Sequence, residues 1–259
     1  DDLSNSWNLF YNYLATDAPK VTIDSKDIYK TCLCLKIKAC AIVDDAALAA
    51  YLVDPGLGSY ALADLIKVYL DKEKNTACEN LHDLAEVLHA LLKEKDLEKL
   101  YAELELPLAP VLAQMEFNGI KPDLELLNQL NEDMTFRIAK LERVAEEQAG
   151  EKINLKSTKQ LGVLLFETLG LPVIKKTKTG YSTDVSVLEQ LEGKHPLIAT
   201  ILEYRKLTKL QSTYLEGLKP LVNSDTGRIH THFQQTVTVT GRLSSTDPNL
   251  QNIPTRTEE

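Results

Sequence analysis

The sequence predicts a mixed α/β region at its N-terminal end, followed by a mainly α-helical region and a short β segment. Over residues 1–95, short β-branched stretches alternate with helical patterns, as they do in mixed α/β domains. Apolar residues recur every three or four positions from Leu124 to Val144, which predicts one long helix. Thr and Val alternate in Thr236–Arg242, and this period of two predicts a strand that pairs with Arg228–Phe233.

Within residues 1–95, capping residues and apolar spacing set the element boundaries. Short strands are predicted at 20–23 and 41–43. Asp24 is the predicted N-cap of a helix that extends to about Lys38, because its carboxylate can accept a hydrogen bond from a free amide of the first turn. The remaining helices of this region are predicted at 4–14, 44–52, 60–70 and 81–92.

The helical region 96–225 carries a start or stop signal for each helix. A pattern over 97–118 is interrupted by Pro107 and Pro110 and ends at Gly119, since glycine favours the left-handed conformation that closes a helix. The predicted N-caps or first residues of the helices that follow are Asp123, Ser157, Ser182 and Pro196.

Charge is distributed unevenly along the chain. The net charge is −9, which taken alone argues against a nucleic-acid partner. Residues 1–99 hold 11 Lys and Arg against 17 Asp and Glu, a net of −6. Residues 152–242 hold 13 Lys and Arg against 7 Asp and Glu, a net of +6. The basic second half is therefore predicted to bind a polyanion. The alternative is that its basic residues form an ordinary solvated surface.

The spacing of the cysteines and the length of the apolar runs bear on the location of the protein in the cell. Cys32 and Cys34 are separated by one residue, a spacing that fits neither a redox pair nor a zinc site. We therefore expect reduced thiols and a cytoplasmic location. No apolar run reaches the roughly 18 residues that a membrane span requires. We expect a monomer without a membrane partner.

The segment 234–259 has the densest set of hydrogen-bonding side chains. Arg242 is followed by two serine hydroxyls, and Asn249, Gln251 and Asn252 can both donate and accept. Such groups suit the DNA minor groove, where each base pair presents acceptors in nearly the same place. A polar loop with Asx-turns around Asn249 explains the same residues equally well on chemistry alone.

The motif Thr240-Gly-Arg-Leu-Ser-Ser-Thr-Asp-Pro-Asn-Leu-Gln-Asn-Ile-Pro254 resembles the segment that precedes the first catalytic carboxylate motif of family A DNA polymerases. The resemblance is strong from about residue 104 and weaker but collinear before it. Upstream segments that also resemble the family are Asn118-Gly-Ile-Lys-Pro-Asp123, Glu203-Tyr-Arg205 and Lys209-Leu-Gln-Ser-Thr-Tyr214. The resemblance implies a ribonuclease H-like, exonuclease-type α/β domain at 1–95, a helical thumb at 96–225 and the start of the palm at 226–259.

The resemblance also implies a partner and a set of contact residues. Primer–template duplex DNA is the implied partner. The implied DNA-binding residues in the thumb are Ser157, Thr158, Lys159, Lys175, Lys176, Arg205 and Lys209. Those at the palm side, facing the minor groove, are Thr238, Arg242, Asn249, Gln251 and Asn252.

Polymerisation in this family requires palm aspartates that hold two metal ions and a fingers helix that binds the dNTP. The sequence contains neither an Asp-Tyr-Ser strand nor a His-Asp-Glu triplet. The resemblance thus implies Mg²⁺ for the full-length polymerase, but no metal and no catalytic residue in this fragment, which we expect to be inactive alone. The dNTP would bind only with the missing palm and fingers, which a second, C-terminal chain would supply if the protein is split.

The exonuclease-like region departs from the pattern of proofreading relatives. Ile28 stands where an acidic metal ligand is expected, although a shift of one residue would place Asp27 there. Thr76 and Asn80 replace the Tyr and the Asp of another ligand motif. We therefore predict a vestigial exonuclease domain without metal, in which Asp44, Asp45 and Asp54 are helix caps and surface charges. Two alternatives are a non-catalytic duplex-binding module and an active 3′-5′ exonuclease.

Overall fold

The computed structural model of the protein describes residues 2–38, 41–72, 79–177 and 180–254. The chain divides into two compact units, one formed by Asp1–Lys121 with Arg228–Glu259 and the other by Pro122–Gly227. Residues 96–121 and 228 onward thus pack with the N-terminal region. These units cut the chain differently from the predicted division at 95 and 225. The assignment of these segments as an exonuclease-like domain, a thumb and the start of a palm stays a prediction.

The first unit contains a βαβ arrangement near its start. Its strands β1 and β2 are parallel, with Lys20 opposite Ile42 and Thr22 opposite Asp45. The elements in chain order are α1 (Asp2–Leu14), β1 (Lys20–Thr22), α2 (Ser25–Leu35), β2 (Ile42–Asp45), α3 (Ala46–Val53), α4 (Leu62–Leu70) and α5 (Glu79–Glu94).

Two aspartates start helices α2 and α3 by capping. Asp24 accepts a hydrogen bond from the Asp27 amide at 3.0 Å, as predicted. Asp45 accepts from the amides of Ala47 at 3.0 Å and Leu48 at 3.2 Å. Helix α3 therefore begins after Asp45 and not at Asp44, because both aspartates belong to strand β2. The core beneath these helices contains Leu65, Leu84, Leu88, Leu92 and Ala109.

The predicted helical pattern at 97–118 is helical but not uniform. It consists of α6 (Glu98–Leu100), a π-helical turn (Tyr101–Glu105) and α7 (Leu106–Asn118), which contains Pro110. Helix α7 ends at Gly119, as its sequence position predicted, and Gly119 has a φ of +61°. Its ψ of −178° lies outside the left-handed helical region, so the predicted left-handed closure is wrong. A Cβ atom at Gly119 would lie 2.8 Å from the Ile229 carbonyl oxygen. Only glycine fits this close approach of two backbone segments.

The β segment of the first unit differs from its prediction. The strands are β5 (His232–Gln234) and β6 (Ser244–Thr246), which pair antiparallel. Thr236–Arg242 is not a strand but part of the connection between them, and Val237 and Val239 are exposed. Alternation of β-branched residues describes a propensity, whereas pairing needs a partner strand. Here local hydrogen bonds between the Thr238 hydroxyl and the Arg242 backbone form in place of strand pairing.

The second unit is built around one long helix. Helix α8 (Leu124–Ala149) has 26 residues and begins where Asp123 accepts from the Leu126 amide at 3.0 Å. The elements that follow are α9 (Thr158–Val163), a π-helical turn (Leu164–Thr168), β3 (Lys176–Thr177), β4 (Gly180–Tyr181), α10 (Val185–Gln190), α11 (Pro196–Leu210), a second π-helical turn (Gln211–Glu216) and a 3₁₀ turn (Lys219–Leu221). Their shared core includes Leu161, Leu165, Leu188, Leu191, Leu197, Ile198 and Ile201.

One predicted cap in the second unit is wrong. Ser182 does not cap α10, since Asp184 occupies the N-cap position. The Ser182 hydroxyl instead donates to the Asp184 carboxylate at 2.8 Å.

Among the described residues, no helix combines the length and apolarity that crossing a membrane requires.

Candidate nucleic-acid interface

In the second unit, the start of α9 and the β3–β4 hairpin line one cavity of about 520 Å³. Thr158 and Lys159 line it from α9, and Thr177 and Tyr181 line it from the hairpin. Lys176, which precedes Thr177, holds its ammonium group 5.5 Å from the centre of the Tyr181 ring, within cation–π distance. The fold therefore brings two of the predicted residues, Thr158 and Lys159, close to the hairpin that carries Lys176.

The predicted side chains around this cavity differ in which polar groups they leave exposed. The Ser157 hydroxyl accepts from the Gln160 amide at 3.3 Å, so it performs the predicted N-cap role. Thr158, Lys159 and Lys175 are exposed. Their hydroxyl and ammonium groups are placed at the surface, as phosphate contacts require.

Arg205 is bound within the unit. Its guanidinium donates to the Thr183 backbone oxygen and, at 3.0 Å, to the Thr183 hydroxyl. Burial lowers the pKa of Arg205 from its ordinary value. Lys209, one helical turn further along α11, is exposed. This arrangement gives Arg205 a structural function that sequence reasoning missed, because Thr183 is 22 residues away. The predicted phosphate contacts of Arg205 and Lys209 stay predictions.

In the first unit, the predicted minor-groove residues lie on or after the connection between β5 and β6, here called the β5–β6 loop (residues 235–243). The Thr238 hydroxyl accepts from the Arg242 amide at 3.0 Å and lies 2.6 Å from the Arg242 carbonyl oxygen, to which it donates. These bonds close the loop between two positions four residues apart. The Arg242 side chain is exposed.

Two of the three predicted side-chain amides after β6 make hydrogen bonds within the protein. Gln251 accepts from the Ser245 amide at 3.1 Å and donates to the Leu243 carbonyl at 3.0 Å. Asn249 accepts from the Gln251 amide at 3.0 Å through its side-chain oxygen, which is the Asx-turn that the polar-loop interpretation expects. Asn249 and Asn252 are exposed. Gln251 is therefore a residue that holds β6, and its contact with DNA stays a prediction.

Sequence reasoning missed the buried carboxylate of Glu116. It accepts from Lys26 Nζ at 2.6 Å, from Lys30 Nζ at 2.8 Å and from the Phe233 amide at 2.8 Å. Burial alone would raise the pKa of Glu116, but these donors outweigh it and lower the pKa to about 2. His232 Nδ1 also lies 3.4 Å from the carboxylate. Glu116 thus fixes β5 to helices α2 and α7.

Two of the three residues predicted to replace exonuclease metal ligands or their neighbours make packing or hydrogen-bond contacts within the protein. Ile28 packs against the buried Leu14, Cys32 and Ile37. Asn80 is buried and accepts from Lys72 Nζ at 2.9 Å. Thr76 lies outside the described residues.

Of the three aspartates expected as helix caps or surface charges, Asp54 is exposed, whereas Asp44 and Asp45 are buried. Asp44 accepts from the Tyr101 hydroxyl and lies 3.0 Å from His89 Nε2. Burial raises the pKa of Asp45 above its ordinary value, although hydrogen bonds from Ser25 and Leu48 oppose it. Asp45 is a helix cap, as expected. The expectation of surface charge is wrong for Asp44 and Asp45, because Asp45 bonds to α3 and Asp44 bonds to the π-helical turn.

The described residues contain no group of three or more His, Cys, Asp or Glu side chains placed to hold a metal ion. The paired palm carboxylates that would hold Mg²⁺ do not occur among them. The described residues therefore do not fit the metal.

The sequence model of DNA polymerase family A matches residues 124–259, more than half of the chain. The chain therefore belongs to the family A DNA polymerases. DNA polymerase I of Geobacillus stearothermophilus is 41% identical, over 96% of this chain and 32% of that enzyme. DNA polymerase I of Caldicellulosiruptor bescii is 43% identical, over 97% of this chain and 30% of that enzyme.

A solved structure of the POL domain of Pol1 from M. smegmatis, in complex with DNA primer-template and dNTP, is also similar. It matches with a TM-score of 0.82 and 41% identity, over 96% of this chain and 45% of that chain. The fold thus resembles a DNA polymerase I polymerase domain, mainly helical with few strands. The chain spans about a third of the length of the curated relatives it matches.

Proposed function

We propose that the chain binds primer–template duplex and contributes to DNA-templated DNA synthesis, in replication or repair gap filling, as part of a family A polymerase. The observation that carries the proposal is the exposed Arg242, on a loop closed by Thr238, in a chain similar to a polymerase structure with primer-template and dNTP. The thumb role of 96–225 and the palm role of 226–259 belong to this proposal.

The same proposal covers chemistry that this chain does not supply. Mg²⁺ and dNTP would be bound by palm and fingers residues of the full-length enzyme, where the metal would activate the primer 3′ hydroxyl. Residues 1–95 would form a vestigial ribonuclease H-like domain, in keeping with Ile28 and Asn80 at ligand positions. We also propose a cytoplasmic monomer.

Duplex affinity as a function of salt tests the proposal. Each phosphate contact contributes a slope of about −0.9 to log K against log salt. We expect a slope steeper than about −3 for a fluorescent primer–template, and a slope about 1 unit shallower after either Lys175→Ala or Lys176→Ala. Lys99→Ala, which removes an exposed lysine of the acidic region, serves as the control. A slope near zero would refute duplex binding.

The two other candidate functions are separated by activity. A non-catalytic duplex-binding module predicts the same salt slope but no nucleotide incorporation by the full-length protein. An active 3′-5′ exonuclease predicts release of nucleotides from single-stranded DNA when Mg²⁺ or Mn²⁺ is added. We expect no release from this chain.

A further inference from the structure

The β5–β6 loop has few apolar contacts to hold its shape. Val237 is 61% exposed and Val239 is 69% exposed, so neither valine anchors the loop through burial. Its conformation therefore depends on hydrogen bonds. At its start, the buried Gln235 donates to the Glu105 backbone oxygen at 3.1 Å and to the Glu105 carboxylate at 3.0 Å.

The middle of the loop is bound by a residue from the exonuclease-like region. Tyr51, on helix α3, is only 3% exposed, and its hydroxyl donates to the Thr238 carbonyl oxygen at 2.7 Å. The Tyr51 ring packs edge-to-face against Tyr60, with ring centres 5.8 Å apart, which limits its rotation. The Tyr51 hydroxyl thus binds the backbone of Thr238, and the side-chain hydroxyl of Thr238 binds the backbone of Arg242.

We propose that Tyr51 is a positioning residue for Arg242 and that it acts through Thr238. The Tyr51 hydroxyl fixes the Thr238 carbonyl, and the Thr238 hydroxyl in turn binds the Arg242 amide and carbonyl. Arg242 is then presented to DNA with less conformational entropy to lose on binding. This inference rests on the proposed function of Arg242. It gives the α3 region a role in polymerisation that needs no metal.

Amide hydrogen exchange tests the anchor without DNA. Tyr51→Phe removes the hydroxyl and keeps the ring, so the core packing of α3 should persist. We expect exchange at the Arg242 amide to rise about fivefold, the equivalent of one net hydrogen bond. Tyr60→Phe is the matched control, because its hydroxyl donates to the Asp54 carbonyl at 2.8 Å and not to the loop. Equal exchange in wild type and Tyr51→Phe would overturn the anchor.

A double-mutant cycle tests whether the anchor acts through Arg242. In the full-length protein, Tyr51→Phe should weaken primer–template binding about three- to tenfold. In the Arg242→Ala background the same change should have no effect, because the residue it positions is gone. Additive effects would overturn the positioning role. A wild type that does not bind the duplex would refute the proposed function and the positioning role, whereas the exchange result would still report on the anchor.

Discussion

Replacement of Glu116 by glutamine should destabilise the protein strongly and in a pH-dependent way. The substitution keeps the shape of the side chain but removes the charge that pairs with Lys26 and Lys30. Both lysines are largely buried, with 12% and 27% of their side chains exposed, so water only partly replaces the carboxylate. Loss of one partner from such a cluster is costly, because the remaining charges are left without compensation.

The magnitude follows from the lowered pKa of Glu116. Its pKa falls from the ordinary 4.5 to about 2 in the folded chain. At about 1.36 kcal/mol per pKa unit, the charged form contributes about 3 kcal/mol to the free energy of unfolding at pH 7. Because the folded pKa is lowered, this contribution is complete above pH 4.5 and is lost as the pH falls towards 2. At pH 3 about 1.5 kcal/mol remains.

Urea unfolding followed by circular dichroism, from pH 7 to pH 3, measures this difference. Wild type should exceed Glu116→Gln by about 3 kcal/mol at pH 7 and by about half as much at pH 3. Glu103→Gln is the control, since Glu103 is exposed and 3.9 Å from Lys99, and it should change stability by less than about 0.5 kcal/mol. A Glu116→Gln difference that is below about 1 kcal/mol, or independent of pH, would refute this reasoning.

Two further substitutions test the backbone geometry of each unit. Gly119→Ala should lower the free energy of unfolding by about 2 kcal/mol, because the new Cβ would lie 2.8 Å from the Ile229 oxygen at a φ of +61°; urea unfolding that matches wild type would contradict the close approach. Asp123→Ala should cost about 1 kcal/mol by removing the cap of α8, and Asp123→Asn should restore most of it. Equal unfolding midpoints for Asp123→Ala and wild type would show that this cap contributes nothing.

Features encoded in neighbouring residues could be predicted from the sequence. The caps Asp24 and Asp123, the end of α7 at Gly119 and the repeating apolar pattern of α8 all depend on residues within one or two turns of each other. The similarity of Thr240–Pro254 to family A polymerases also needed no fold, because it is a continuous motif.

Features set by distant partners could not be predicted. Glu116 receives hydrogen bonds from residues that are 86, 90 and 117 positions away, so no local pattern marks it. The Tyr51–Thr238 bond spans 187 positions. The same limit explains the error at Thr236–Arg242, where local hydrogen bonding replaced the strand pairing that the alternation of Thr and Val predicted.

Single-turnover nucleotide incorporation tests the central claim, that this chain holds primer–template DNA for a family A polymerase. The measurement compares wild-type full-length protein with Arg242→Ala, and uses Lys93→Ala, an exposed lysine on α5, as the control. Loss of one charge-assisted hydrogen bond to the duplex should slow incorporation about ten- to hundredfold, while Lys93→Ala should match wild type. Incorporation by Arg242→Ala at the wild-type rate, or no incorporation by wild type, would contradict the claim.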